Sequence, residues 1–327
     1  MIKMPRHLAF PLLALLLGTL PASAQTPAPA WPTHTVKLIV PFGAGSTPDV
    51  IMRLIADHLK TKLGQSFIVE NKPGASGNLG TDAVAKATPD GYTLGLSIGG
   101  PLAINPILFG KLPYDPKTDL APITLVVTQP SVLAVNTTLG IDSVAALVAL
   151  LKKNPGKYNF GSIGVGSLSH LAMEAIALKS GTQIVHVPYP SSPAAATALL
   201  RNDVQMVCLP AISVTPQAAA GRLKILAVST AQRSALLPGV PTLKEAGIDV
   251  EADAWSGLIA PAKTPPAVID AVRAAVADAL NAPDVRQKLA AQIMEPIPST
   301  PAAFRARIDA DIARWTPVIK AAHIKVN

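Results

Sequence analysis

Short apolar runs alternate with amphipathic stretches along most of this chain. Val36-Lys37-Leu38-Ile39-Val40 has the density of branched residues of a buried strand, and a turn-rich loop follows it. Pro48 and Asp49 open a helix with Val50, Ile51, Leu54, Ile55 and Leu59 on one face. Strands are predicted at 67–70 and 92–98, with a short helix at 78–87 between them. The alternation continues with strands at 131–135, 158–162, 184–187, 204–209 and 223–228, and helices at 143–153, 167–179 and 193–200. Ala254 to Leu258 reads as strand and loop. The last third is largely helical, at 265–280, 283–292 and 301–322, each helix opening with Pro at its first turn. Alternating strands and helices predict an α/β fold with mostly parallel sheets, and loops at strand C-terminal ends are where such folds bind ligands.

The N-terminus breaks this pattern. Lys3 and Arg6 precede the apolar run Leu8–Leu20, and Ala22-Ser23-Ala24 supplies small residues at the −3 and −1 positions of a cleavage site. That order is a secretory signal peptide, residues 1–24, and export to the periplasm is expected. The apolar run is about 13 residues, too short to span a bilayer. Residues 25–34 form a Pro/Ala/Thr leader. What remains of the 327 residues suffices for two compact domains.

Net charge is +8, but the positive residues are scattered and aromatic residues are 4% of the chain. A nucleic-acid surface needs a concentrated basic patch or stacking aromatics, so no such partner is expected. The single cysteine, Cys208, lies in an apolar segment and is expected in the core, where it forms no intramolecular disulfide.

Three loops rich in glycine and hydroxyl groups could carry chemistry. Phe42-Gly43-Ala44-Gly45-Ser46-Thr47 precedes a helix but lacks the Lys of a phosphate-binding loop and the third Gly of a dinucleotide fingerprint. Its backbone N–H groups and the helix dipole still favour an anion. Ser162-Ile163-Gly164-Val165-Gly166-Ser167-Leu168-Ser169-His170 repeats the theme, with Ser167 as helix cap. His170 and Glu174 have the spacing of a metal pair without a third ligand nearby. Gly95-Leu96-Ser97-Ile98-Gly99 matches the G-x-S-x-G nucleophile pattern and leaves a secreted serine hydrolase open as an alternative. Against it, Gly100-Pro101 separates the pattern from a helix, and His323 is the one late histidine. Tyr189 could wall a pocket, with Ser191 or Ser192 capping the next helix. Trp255 reads equally as core or wall.

Seven segments, in order, carry a resemblance that covers nearly the whole exported chain. They are Leu38-Ile39-Val40-Pro41-Phe42, Val69-Glu70-Asn71-Lys72-Pro73-Gly74-Ala75, Pro89-Asp90-Gly91-Tyr92-Thr93-Leu94, Ile104-Asn105-Pro106, Leu112-Pro113-Tyr114-Asp115-Pro116, His186-Val187-Pro188-Tyr189 and Leu258-Ile259-Ala260-Pro261. The chain resembles the tripartite tricarboxylate transporter receptors, the Bug family of periplasmic solute-binding proteins. The resemblance implies a two-lobed α/β periplasmic binding protein, type II-like, with the ligand in a cleft between lobes that close like a Venus flytrap. It implies lobe 1 from 31–128 with 229–327 and lobe 2 from 129–228. It also implies a monomer, a small carboxylate ligand, integral-membrane transporter subunits as partners, no catalysis, no cofactor and no metal. A periplasmic ligand-sensing module is a further alternative.

Carried over by position, the ligand-binding residues are Phe42, Gly43, Ala44, Gly45, Ser46, Thr47, Asp49, Ser97, Gly99 and Gly100 from the first lobe. Ser162, Gly164, Gly166, Ser167, Ser169, His170, Tyr189, Ser191, Ser192 and Leu209 come from the second. Three positions depart from the family's pattern. The first loop lacks a Pro-Gly-Gly-Gly run, Pro190-Ser191 stands where Lys-Gly is common, and Leu209-Pro210 stands near a common Asp. Loss of that acid argues against an amino-acid ligand and makes an apolar or aromatic carboxylate the expectation, because an unpaired ammonium in an apolar pocket is costly.

Overall fold

A computed structural model describes residues 1–2 and 31–326. The signal peptide and its cleavage after Ala24 lie outside the described residues, as does most of the leader. In chain order the elements are β1 (Val36–Val40), α1 (Thr47–Leu63), β2 (Phe67–Asn71), α2 (Asn78–Ala85), β3 (Thr93–Ile98), α3 (Asn105–Leu108), β4 (Leu120–Gln129), β5 (Ser131–Asn136), α4 (Val144–Lys153), β6 (Asn159–Ser162) and α5 (Leu168–Ser180). They continue with β7 (Val185–Pro188), α6 (Ser192–Arg201), β8 (Met206–Pro210), α7 (Thr215–Ala219), β9 (Leu223–Val228), β10 (Ala254–Pro261), α8 (Pro266–Asn281), α9 (Pro283–Ala291), β11 (Glu295–Pro296) and α10 (Pro301–Ala321).

Two sheets organise these elements. One runs β11-β4-β10-β3-β1-β2 and the other β7-β6-β8-β5-β9. The expectation of mostly parallel sheets needs correction. β1 pairs β2 and β3 in parallel, and β6 pairs β7 and β8 in parallel. However, β10 is antiparallel to β3 and β4, β11 to β4, and β5 to β8 and β9. β5 and β10 are the strands that arrive from the other sheet, so no crossover helix fixes their direction.

β4 was not expected from the sequence. Its run Leu120-Ala121-Pro122-Ile123-Thr124-Leu125-Val126-Val127 contains a proline, which argues against an interior strand. The sheet accommodates it because β11 covers β4 only at Val127 and Thr128, leaving Pro122 on an open edge.

Alternation along the strands builds a core on each face. On β1, Val36, Leu38 and Val40 face the layer of α1, α8 and α9, while Ile39 faces the opposite layer with Val84, Trp255 and Phe304. On β8, Met206 and Cys208 point to the α4–α5 side, and Val207 and Leu209 to the α6 side. Cys208 is fully buried, and burial pushes its thiol up to about 12. Leu209 is likewise fully buried among Val132, Ala195 and Leu199. It is therefore core, a correction to its placement as ligand wall.

The first sheet's helices also reach the second sheet. Ile104, Ile107 and Leu108 around α3, and Trp315, Val318 and Ile319 near the end of α10, pack in one cluster with Leu171, Ala172 and Ile176 of α5. No helix of the described residues is long and apolar enough to cross a membrane.

Candidate functional site

The loops that follow β1, β2 and β3 converge. Phe42 lies in the β1–α1 loop, and its carbonyl accepts from Asn71 Nδ2 at 2.9 Å. A Cβ added at Gly77 would stand 2.9 Å from both Phe42 Cζ and Pro101 Cγ, and Gly77 has φ +87. Only glycine lets the three loops close on one another there. Just before it, Ala75 and Ser76 hold φ of 47 and 56, in the left-handed region. Asn105 Nδ2 donates to the Ser76 carbonyl at 3.1 Å and to Asn78 Oδ1 at 2.7 Å, and the Tyr114 hydroxyl donates to the same Oδ1 at 3.0 Å. This buried network fixes the strained loop from behind. Burial raises the Tyr114 phenol above its ordinary range, keeping it a neutral donor.

Asp49, expected on the ligand-facing side of the first loop, is turned inward. It is 2% exposed. Its carboxylate accepts from Gly45 N–H at 2.8 Å, Arg53 Nε at 3.0 Å and Asn71 Nδ2 at 2.8 Å. The Arg53 hydrogen bond, with Gly45 and Asn71 adding to it, holds this carboxyl down at about 2. Asp49 thus stitches the β1–α1 loop to β2, and Gly45 N–H is spent in the stitch. The free groups are others. Among the described residues no hydrogen bond takes the N–H of Gly43 or Ala44. The Ser46 hydroxyl is shut off from solvent and has no partner. These groups, with Thr47 in the first turn of α1, form an anion-seeking cup at a helix N-terminus.

β3 delivers Gly99 and Gly100. Gly99 rests on the Trp255 indole, 3.3 Å from its would-be Cβ, while a Cβ at Gly100 would touch only the Ile98 side chain, at 3.9 Å. Trp255 is 3% exposed, edge-to-face with Phe304 at 5.5 Å, and donates from Nε1 to Asp311 Oδ2 at 2.7 Å. It is floor rather than wall. Ser97, proposed as ligand donor or nucleophile, is 1% exposed inside β3, and its hydroxyl pairs with Thr81 Oγ1 at 3.2 Å. One argument against the hydrolase pattern fails: a π-helical turn, Gly100–Ile104, follows β3 directly. The pattern is excluded instead by Ser97's burial and its pairing with a hydroxyl rather than a base.

The second half of the site is the β6–α5 loop, which is wired from within. The Ser167 hydroxyl donates to the Gly164 carbonyl at 2.7 Å and accepts from His170 N–H at 3.3 Å, capping α5. Ser169 Oγ accepts from Ile163 N–H at 3.0 Å, and the Ser162 hydroxyl lies 2.6 Å from His186 Nε2. His170 is 5% exposed; its Nδ1 accepts from Gly166 N–H at 3.1 Å and its Nε2 lies 3.5 Å from Glu174 Oε1. Its ring stacks on His186 at 3.7 Å. Burial holds His186 down at about 4, with the His170 ring adding to the effect. His170 and Gly166 thus shape the loop from within. A Cβ at Gly166 would meet Leu108 Cδ1 at 2.6 Å, so this loop is also the point where α3 of the first half touches the second.

Tyr189 N–H donates to the Ser162 carbonyl at 2.9 Å, setting the ring beside Gly161, and its hydroxyl has no hydrogen-bond partner among the described residues. Ser191 caps α6 through Ala194 N–H at 3.3 Å, and Ser192 is the first residue of that helix. Among the described residues Val165 N–H is unused. Sequence reasoning missed Arg53, Asn71, the Ala75–Ser76 pair, Asn78, Asn105 and Tyr114 as site architecture. Four of them, Asn71, Ala75, Asn105 and Tyr114, stand inside the quoted family segments, which was the available signal.

A dense ionic cluster lies beneath the Trp255 floor. Arg307 contacts Asp253 at 2.7 Å, Glu251 at 3.2 Å and Asp311 at 3.4 Å, and Arg314 contacts Asp311 at 2.6 Å and Glu251 at 2.9 Å. Burial raises the carboxyls of Glu251 and Asp311 despite these partners.

Comparison with known proteins agrees with this architecture. Residues 51–324 match the family described as Tripartite tricarboxylate transporter family receptor. Protein BugT of Bordetella pertussis is 35% identical over 99% of this chain and 100% of its own length. Rpa4515 of R. palustris, solved with adipate, is 34% identical with a TM-score of 0.77, covering 90% of this chain and 99% of that one. MatC of Rhodopseudomonas palustris, solved with bound malate, is 29% identical with a TM-score of 0.72, covering 88% and 100%. With that match spanning most of its length, the chain belongs to the tripartite tricarboxylate transporter receptor family, two-lobed solute-binding proteins that are receptors rather than enzymes.

Proposed function

We propose that this protein is exported to the periplasm, captures a small carboxylate between its lobes by hinge closure, and delivers it to the integral-membrane subunits of a tripartite tricarboxylate-type transporter. The lobes divide as 31–128 with 229–327 and 129–228, and the protein works as a monomer after cleavage behind Ala24. The observation that carries the reading is the cup at the start of α1, where among the described residues the N–H groups of Gly43 and Ala44 are unused and the Ser46 hydroxyl is unpartnered. Neutral donors at a helix N-terminus suit a carboxylate. The adipate and malate held by two structural relatives support the same ligand class.

In the bound state Val165 N–H and the Tyr189 hydroxyl approach from the second lobe, and closure expels water, which strengthens each of these contacts. Closure follows ligand only in so far as ligand binds the closed form more tightly. Thermal unfolding of the mature protein with carboxylates tests this, since binding to the native state raises Tm. A Tm rise with at least one acid is expected, and its reduction by Ser46→Ala ties the rise to the cup. The absence of any rise across dicarboxylates, tricarboxylates, amino acids and aromatic acids would overturn the reading.

A further inference from the structure

Three passages of chain lead from one sheet toward the other, and they meet at one ionic cluster. The first is the step from β4 to β5, where Thr128 donates to Asp253. The second is the run into β10, with Glu251 and Asp253 on either side of the buried Ala252. Ser229 Oγ ties these two passages, 3.1 Å from the Ser131 carbonyl and 3.0 Å from that of Ala252. The third passage is α10. Its Arg307 lies 2.7 Å from Asp253 and 3.2 Å from Glu251, and its Arg314 lies 2.9 Å from Glu251.

α10 changes its packing partners along its length. Near its start Phe304 covers Gly257 of β10, where any Cβ would collide with the ring. Arg305 donates there to the carbonyls of Pro116 and Leu120, both at 2.9 Å. Near its end Val318 and Ile319 pack with Leu171 and Ile176 of α5, and Ile324 beyond the helix joins them. Val326 reaches the β6–α5 loop, its Cγ2 3.3 Å from a would-be Cβ at Gly166. Thr316-Pro317 stands between the two halves. Pro317 has no N–H to offer the Ala313 carbonyl, and the Thr316 hydroxyl bonds back to the Ile312 carbonyl at 2.6 Å. Both features favour bending of the helix at this point.

We propose that α10 is a third hinge connection, bending at Pro317 so that residues 318–326 travel with the second lobe, and that the Arg307–Arg314 cluster is the pivot that sets the balance of open and closed forms. This deepens the hinge-closure reading above and moves 318–326 out of the first lobe. The pivot lies beneath the Trp255 floor rather than in the anion cup. A change there alters the fraction of protein competent to close, and so scales the affinity of every acid by one factor. A contact residue would instead change the ratio between acids.

Residual dipolar couplings of the deuterated mature protein test the connection without any acid present. Amide couplings of 318–326 should fit the alignment frame of β6, α5 and β8, and those of 301–316 the frame of β1, β3 and β10. Glu251→Gln should change the angle between the two frames, and Thr128→Val, which removes only the hydroxyl bond to Asp253, should change it less. Titration of Glu251→Gln with adipate, malate and benzoate should show affinity altered about threefold or more, by the same factor for each acid that binds. Couplings of 318–326 that follow the first lobe's frame would overturn the third connection. An angle indifferent to both substitutions in folded protein, or affinities altered by unequal factors, would overturn the pivot. A protein that answers no acid would overturn the carboxylate-receptor reading alone, and the couplings would still decide between a bending and a rigid α10.

Discussion

Asp49 is a carboxylate that builds the loop of the proposed anion cup. Its negative charge is held by Arg53 and Asn71, so the loop's remaining N–H groups are pre-aimed rather than recruited. The carboxyl is held at about 2, below its ordinary 3.8. The unfolded chain therefore binds more protons than the folded one across that interval, and stability falls as pH drops from about 4 toward 2. Asp49→Ala should flatten that limb of a Tm-versus-pH profile. It should also cost about 1–3 kcal/mol at neutral pH, because Gly45 N–H and the Asn71 amide lose a buried acceptor. The two glycines of the β6–α5 loop separate two causes that the sequence cannot. Gly164 faces open space at φ +123, so Gly164→Ala adds backbone strain alone. Gly166→Ala, at φ +75, adds a collision with Leu108 and should lower urea stability further, by about 1–3 kcal/mol in all. What was legible at this scale was local. Ser167 and Ser191 were readable as caps because the donor lies three residues on. The commitments of Asp49 to Asn71 and of Ser162 to His186 were not, because their partners are more than twenty residues away.

Among the elements, β6, α5 and β7 form one unit around the Phe160, His186 and His170 rings, stacked at 5.0 and 3.7 Å. The charged or titratable groups facing this stack are the two imidazoles and Glu174 on α5. His186 is held at about 4 against an ordinary 6.5, so the native state resists protonation that the unfolded chain accepts. Stability is complete above pH 6.5 and declines as pH falls from there toward 4. His186→Gln should remove much of that decline, while ligand affinity of the folded wild type should hold until pH nears 4, where protonation of the native imidazole disturbs Ser162 Oγ, which bonds both the imidazole and Gly164 N–H. Most strands of the parallel cores were evident from their apolar runs. β4 was hidden by Pro122, and the antiparallel entries of β5 and β10 were hidden by topology, since strand direction there depends on where the chain has come from. The three loops rich in glycine and hydroxyl groups were found from composition alone. The left-handed pair of non-glycine residues at Ala75 and Ser76 has no local signature.

For the molecule as a whole, the two sheets repeat one strand order, β2-β1-β3-β10-β4 and β7-β6-β8-β5-β9. The proposed site uses the loops after β1, β2 and β3 on one side and those after β6 and β7 on the other. A physical chain of contacts leads away from it, from Gly99 to the Trp255 ring, to Asp311, and through Arg307 and Arg314 to Glu251 and Asp253. Asp253 also accepts from Thr128, the penultimate residue of β4 before the chain enters the second sheet. Asp311→Asn should cost about 3–5 kcal/mol by stripping a buried charge from two arginines, and small-angle scattering with and without a bound acid should show a reduced change in radius of gyration if the cluster guides closure. Cys208 supplies the means to watch that motion. A solitary thiol buried in β8 and held protonated is silent to alkylating dyes while the fold persists. Cysteines introduced one on each side of the cleft would thus carry all the label, giving a distance ruler for closure without prior removal of the native residue. In the unaltered protein, the first appearance of label at Cys208 would clock the opening of the second sheet's interior.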